Sequence, residues 1–213
     1  MIYPDRGAAG RALGEVLGYL RGADPLVLGL PRGGVPVAVA IREVIGGDLD
    51  VLLVRKLGVP WQPELAMGAI GEDGVRVLNV DVVQHTGVTP EQFADIEDLE
   101  RVELERRRQV LRAEAPIPLK DRTVVIADDG MATGATVAVA CEVARMHEPR
   151  RVVVAVPVSS AEALHRIRAL ADEVVCPLVP RSLGGVGAVY RDFHQLTDDE
   201  VVHLLHPATP PQN

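Results

Sequence analysis

Val124-Val125-Ile126-Ala127-Asp128-Asp129-Gly130-Met131-Ala132-Thr133-Gly134-Ala135-Thr136 is the stretch that decides how this chain is read. It begins with a short, unbroken apolar run dominated by β-branched side chains, the pattern of a strand buried on both faces of a parallel sheet. Asp128 and Asp129 stand at the carboxyl end of that run, where ligands bind in open α/β sheets. Ala132, Thr133, Gly134, Ala135 and Thr136 carry no bulky side chain, so backbone N–H groups there can close around a phosphate at the following helix N-terminus. Paired carboxylates suit sugar hydroxyls or a metal ion, and the phosphate cradle lies a few residues on. The combination points to a phosphorylated sugar.

Outward from this stretch, strands and helices alternate. A helix is expected over residues 9–21, a strand over 26–30, a helix from Gly34 to about Val44, a second strand over 50–54 and a third over 75–78. Beyond the strand at 123–127 come a helix at 135–146, a strand at 151–156, a helix at 161–170 and a strand at 173–176. Strands separated by helical stretches of this length require crossovers, hence a doubly wound α/β fold with a mainly parallel sheet. Thr89-Pro90-Glu91-Gln92, Ser159-Ser160-Ala161-Glu162 and Thr197-Asp198-Asp199-Glu200 mark helix starts as capping boxes.

Composition bounds the function. With 213 residues and 47% apolar content, one domain over 1–206 is expected, followed by a proline-rich, frayed tail at 207–213. A formal charge of −8 argues against a nucleic-acid partner, which calls for a basic patch or stripe. The polar start has no signal-peptide core, and no apolar run approaches a membrane span, so a cytoplasmic protein without membrane contact is expected. Cys141 and Cys176 have no metal-ligand spacing, and His194, His203 and His206 form no metal set.

A second strand-to-turn junction, Gly29-Leu30-Pro31-Arg32-Gly33-Gly34, joins a planar fork of donors to two glycines that permit close backbone approach. With Asp128–Thr136 it resembles the type I phosphoribosyltransferases, most closely a bacterial group without an assigned acceptor. The resemblance covers nearly the whole chain. It implies that Asp128 and Asp129 hold the ribose of phosphoribosyl pyrophosphate (PRPP), directly or through its Mg2+. It further implies that Ala132, Thr133, Gly134, Ala135 and Thr136 hold the 5′-phosphate. Arg32, Gly33 and Gly34 then form the pyrophosphate loop, with a cis peptide between Pro31 and Arg32. The implied catalytic set is Asp128, Asp129, Arg32 and Lys56, acting on PRPP and a small nitrogenous base in a homodimer.

Other segments keep two readings. Arg55-Lys56 is either a solvated strand edge or, by the resemblance, a pair of cations reaching pyrophosphate just ahead of a flexible loop at 57–74. Residues 89–115 read as an inserted long helix with an apolar stripe of Phe93, Ile96, Leu99 and Val102, packed on the core or on a second subunit. Its Glu97–Arg101 and Glu103–Arg107 pairs have the stabilising four-residue spacing. Val186–Tyr190 reads as a strand within a C-terminal hood at 177–206, where Tyr190 and Phe193 either stack on the base or belong to the core. Ala132 occupies the position where some purine-salvage relatives carry an acid that assists proton transfer. That departure leaves PRPP binding intact and the acceptor open. A regulator that senses PRPP or a nucleotide on the same fold is the alternative to an enzyme.

Overall fold

The parallel pairing of β1 (Leu26–Gly29) with β6 (Thr123–Ala127) sets the frame of the computed structural model, which describes residues 2–112 and 114–206. Leu26 lies opposite Val124 and Gly29 opposite Ala127, so the two following turns leave the sheet side by side. β2 (Asp48–Val51), β7 (Arg151–Ala155) and β8 (Glu173–Val175) complete a five-stranded parallel sheet in the order β2-β1-β6-β7-β8.

Alternation along these strands divides the core into two layers. Val27, Val125, Ala127, Val153 and Ala155 point to one face, where they meet α1 (Arg6–Val16) and α2 (Gly34–Ile45) through Leu13, Val37 and Ile41. Leu26, Leu28, Val124, Ile126, Val152 and Val154 point to the other, against Val137, Val139 and Val143 of α5 (Ala135–Met146). α6 (Ala161–Arg168) flanks the same layer through Ala163 and Ile167. This is the doubly wound architecture expected from sequence.

The expected flexible loop at 57–74 is instead regular structure. β3 (Val54–Val59) and β4 (Gln62–Gly71) form an antiparallel hairpin, and β5 (Arg76–Leu78) adds to β4 as a third strand. Leu57, Val59, Met67, Ala69 and Ile70 are buried, an apolar pattern masked in the sequence by glycine and proline. Those residues serve the hairpin. Gly58 sits where the register shifts, and a Cβ there would lie 2.5 Å from the Pro63 carbonyl. Pro63 lies beyond the reach of β5, where no ladder bond needs its missing N–H. The strand expected at 50–54 divides at Leu52-Leu53 into β2 and β3, and the strand expected at 75–78 joins the small sheet.

After α3 (Val80–Thr86), the long helix α4 (Pro90–Leu111) starts at the Thr89 capping box as expected. The Glu97–Arg101 and Glu103–Arg107 pairs both form. The proposed stripe does not hold: Phe93 is buried, but Leu99 and Val102 are 67% and 73% exposed, and Leu104 and Leu111 are buried instead. Steps of three residues lag a full turn by about 60°, so a three-spaced row walks off the face within two turns. Ser160, not Ser159, caps α6 by accepting from the Ala163 N–H, while the buried Ser159 hydroxyl donates to the Ser160 carbonyl. Val186–Val189 is a 3-10 turn rather than a strand, and Tyr190 makes a single parallel bridge with Tyr3. α7 (Asp198–Leu205) begins at the Thr197 capping box and packs with Val35, Leu57 and Leu104. The segment read as a frayed tail, 207–213, lies outside the described residues.

Arg112 locks α4 to the main sheet. Its side chain, 6% exposed, bonds Asp50 at 2.7 Å, Glu72 at 2.6 and 2.5 Å, and the Val51 carbonyl at 3.0 Å. The second Asp50 oxygen accepts the Ile117 N–H at 2.9 Å. Removing the cation strands two largely buried carboxylates. Arg112→Met is expected to cost about 3–5 kcal/mol, lowering Tm in thermal unfolding by about 10 °C, with Arg112→Lys intermediate. A shift within about 2 °C of the parent would show that the network carries no such energy.

Candidate active site

The two turns at the carboxyl ends of β1 and β6 touch. The Leu30 N–H donates to the Ala127 carbonyl at 3.0 Å, and the Gly34 N–H closes the turn on the Leu30 carbonyl at 2.9 Å. The Pro31–Arg32 peptide is cis. A Cβ on Gly33 would lie 2.0 Å from Asp129 Oδ2, and one on Gly34 would lie 2.3 Å from the Ala127 carbonyl. Both glycines are therefore required by the approach of the second loop, not by unusual torsion angles. The same contact places the predicted pyrophosphate loop directly against the predicted ribose acids.

Asp128 and Asp129 are half-buried at the end of β6. Asp128 Oδ1 accepts the Asp129 N–H at 2.9 Å. Asp129 Oδ2 accepts from Arg6 Nε at 2.8 Å, an ion pair between residues 123 apart in sequence. Burial and the neighbouring Asp129 carboxylate push Asp128 well above the usual carboxylate range. Burial also raises Asp129, against the pull of Arg6. Arg6 has no signal in the sequence, because only the fold brings the start of α1 to the end of β6. Its Nη1 also donates to the His194 carbonyl at 3.0 Å, and its guanidinium lies 3.9 Å from the centre of the Phe193 ring.

Tyr190 and Phe193 are both brought to this site, next to Asp129 and Arg6. Tyr190 is 7% exposed and its hydroxyl donates to the Asp129 carbonyl at 2.7 Å. Phe193 stacks on Tyr190 with ring centres 5.0 Å apart and also carries Arg6. Both aromatics thus hold Asp129 and its cation in place; Tyr190 is buried, whereas Phe193 stays 36% exposed.

Ala132–Thr136 forms the turn into α5. Gly134 adopts a left-handed conformation at φ 71° as the residue before the helix. Ser160 fastens the turn from below, donating its hydroxyl to the Ala132 carbonyl at 2.7 Å, and Thr133 Oγ1 accepts the Ala135 N–H at 3.3 Å. Ala132, Thr133 and Thr136 are exposed at the helix entrance.

Between these turns and the small sheet lies a cavity of about 490 Å³, lined by Pro31, Arg55, Lys56, Glu100, Arg107 and Thr136. Arg55-Lys56 was expected at the end of a parallel strand; it lies near the start of β3, yet faces the cavity from there. The cavity's cations have acidic partners. Arg55 bonds Glu100 at 2.5 Å, Lys56 bonds Glu64 at 3.3 Å and Arg107 bonds Glu103 at 2.9 Å. Arg32, in the neighbouring loop, approaches Asp198 of α7 at 3.9 Å, and Arg106 approaches the same carboxylate at 3.6 Å. Among the described residues no cluster of three or more metal-ligating side chains forms, and no helix is long and apolar enough to cross a membrane.

Comparison with known proteins agrees with this geometry. The family described as "Phosphoribosyl transferase domain" matches residues 6–191. Two Mycobacterium tuberculosis proteins, each named "Putative phosphoribosyl transferase", are 51% identical over 208 residues. That alignment takes in 97% of this chain and 47% of theirs, so the chain spans about half the length of these curated relatives. The crystal structure of TT1426 from Thermus thermophilus superposes with a TM-score of 0.85 at 45% identity, covering 96% of this chain and 98% of that one. Likeness in sequence and in backbone thus extends through both turns and both sheets, and the chain belongs to the phosphoribosyl transferase domain family.

Proposed function

We propose that this chain transfers the phosphoribosyl group of PRPP to a nitrogenous acceptor, releasing pyrophosphate, as a step in nucleotide metabolism. The observation that carries the reading is the contact of Gly33 with Asp129, which sets an anion-binding turn against a carboxylate pair. The 5′-phosphate would rest on the exposed turn Ala132–Thr136 at the start of α5. Asp128 and Asp129 would hold the ribose hydroxyls, and Arg32, Arg55 and Lys56 the pyrophosphate.

As the bond to pyrophosphate breaks, positive charge grows on the anomeric carbon and ring oxygen, as in glycoside hydrolysis. The carboxylate pair stabilises that charge, while the cations stabilise the opposite charge on the leaving group. Two adjacent acids suit an ion delivered by phosphate oxygens rather than a resident metal. Magnesium entering with PRPP would face Asp128 and Asp129 and neutralise the pyrophosphate. Positioning of the acceptor nitrogen supplies much of the remaining rate. The hairpin β3–β4, with Trp61 57% exposed at its turn, would cover the bound sugar and exclude water. Ala132 provides no acid for the acceptor, and this favours one second reading: a regulator that binds PRPP without turnover.

Pyrophosphate release with PRPP, magnesium and a panel of bases separates the two. An enzyme releases it with at least one acceptor, and Asp129→Asn slows that release by about 10²–10³-fold; tight PRPP binding with no turnover on any acceptor identifies the regulator. Trp61, the only tryptophan, reports on the hairpin. Saturating PRPP and magnesium should shift or quench its fluorescence, whereas an unchanged spectrum would count against closure.

The half-buried Asp128 predicts a stability effect of definite sign. A carboxyl whose folded pKa is raised leaves stability unchanged below its unfolded pKa and destabilises the fold progressively as pH rises from there toward the folded pKa. Asp128→Asn, which keeps an oxygen for the Asp129 N–H, should therefore raise Tm at about pH 8 in the ligand-free protein. The gap should close as pH falls toward about 4, where Asp128 of the unfolded chain also takes up its proton. An equal or lower Tm for the variant under the alkaline condition would contradict the proposed burial cost.

A further inference from the structure

The long helix α4 supplies a wall of the cavity, with Ile96, Glu100 and Arg107 on one face by their four- and seven-residue spacing. Glu100 Oε2 lies 2.5 Å from Arg55 Nε, inside the space assigned above to pyrophosphate, and both side chains are only partly exposed. We propose that Glu100 is a resident stand-in for the substrate anion, holding Arg55 while the site is empty and yielding it when a polyphosphate enters. The inference rests on the PRPP reading for its physiological ligand, but the swap itself concerns any polyphosphate in this cavity.

Three features support an exchangeable contact over a fixed structural one. First, each side chain of the pair keeps 26% of its surface open to solvent, so an entering anion can reach the guanidinium directly. This contrasts with Arg112, whose buried pair of acids holds α4 in place at its other end. Second, Glu100 lines the same cavity as Arg55, Lys56 and Arg107, so an entering polyanion meets its negative charge at close range. Third, the arrangement recurs: Glu64 pairs with Lys56, and Asp198 lies between Arg32 and Arg106. Carboxylates from the hairpin, α4 and α7 thus oppose the cations that a polyphosphate would claim. Glu100 makes the shortest of these contacts and is placed by a long helix with a capping box at its start and the Arg112 ion pairs at its end.

Glu100 is then a positioning residue, acting on substrate through Arg55. It keeps the guanidinium ordered in the empty site and competes with the leaving group for it, which favours departure of pyrophosphate. Neutralising Glu100 removes both a competitor and a repulsion. The expected result is tighter binding of inorganic pyrophosphate and of PRPP by about tenfold, a lower KM for PRPP, and a lower kcat where release limits turnover.

The test is calorimetric titration of inorganic pyrophosphate, and separately of PRPP with magnesium, into the native protein, Glu100→Gln, Glu100→Asp, Arg55→Gln and the Arg55→Gln/Glu100→Gln pair. Support consists of tighter pyrophosphate binding by Glu100→Gln, an affinity near the native one for Glu100→Asp, and loss of the gain when Arg55 is also replaced. That last result separates the swap from a general structural change, because the benefit must pass through Arg55. Equal or weaker pyrophosphate binding by Glu100→Gln overturns the proposal and makes Glu100 an orienting partner of Arg55. Should Glu100→Gln fail to fold, Glu100→Ala in the native and Arg55→Gln backgrounds decides: a gain confined to the native background supports the swap, and the same affinity ratio in both overturns it. A gain for pyrophosphate with no PRPP binding in any variant leaves the swap standing and defeats the PRPP reading alone.

Discussion

The parallel register between β1 and β6 is the constraint on which the rest of the structure depends. With Leu26 opposite Val124, both strands end together, and their following turns meet at Gly33 and Asp129. A slip of one residue would send every inward side chain of a strand to the other face. The two core layers, built from alternate residues of the same strands, exclude that slip. Hydrophobic packing far from the ligand-facing surface thus sets the distance between the anion turn and the acids. The glycines complete the arrangement because no side chain fits between the turns.

The charges at this junction belong to two kinds of environment. Asp128 and Asp129 are partly withdrawn from water, and their ionised forms are held at a cost that Arg6 offsets chiefly for Asp129. Tyr190, Phe193 and the His194 carbonyl in turn hold Asp129 and Arg6 from the C-terminal segment. The cations of the cavity are more exposed, and each meets a carboxylate that a ligand can displace. A carboxylate pair kept rigid beside cations kept replaceable suits a reaction in which the sugar stays while the polyphosphate leaves.

The legible parts of the sequence were those governed by local rules. Asp128–Thr136 and Leu30–Gly34 could be placed because a strand, a turn and a helix start each leave short-range marks, and the caps at Thr89 and Thr197 follow the same logic. The hairpin was missed because Gly58, Pro60 and Pro63 imitate a loop, while the burial of Leu57, Val59 and Met67 to Ile70 emerges only when β3 and β4 pair. The stripe on α4 was misread because Phe93 and Ile96 begin a plausible row, and helix geometry turns Leu99 and Val102 out of it. Arg6 was beyond reach altogether, since nothing near it in the chain names Asp129 as its partner.

Those misses share a physical origin that bears on how the site works. Arg6, the hairpin and α4 are all tied to the site through long-range contacts, and each contributes a group that modifies the local motifs rather than forming them. Arg6 biases Asp129, Lys56 meets Glu64 across the hairpin, and Glu100 meets Arg55 from α4. Local sequence encodes the groups that would touch PRPP. Tertiary packing determines what those groups touch in its absence, and hence how readily they exchange partners. On the proposed exchange, substrate affinity would depend on α4 and the hairpin as well as on the two turns, although neither element carries a recognisable motif.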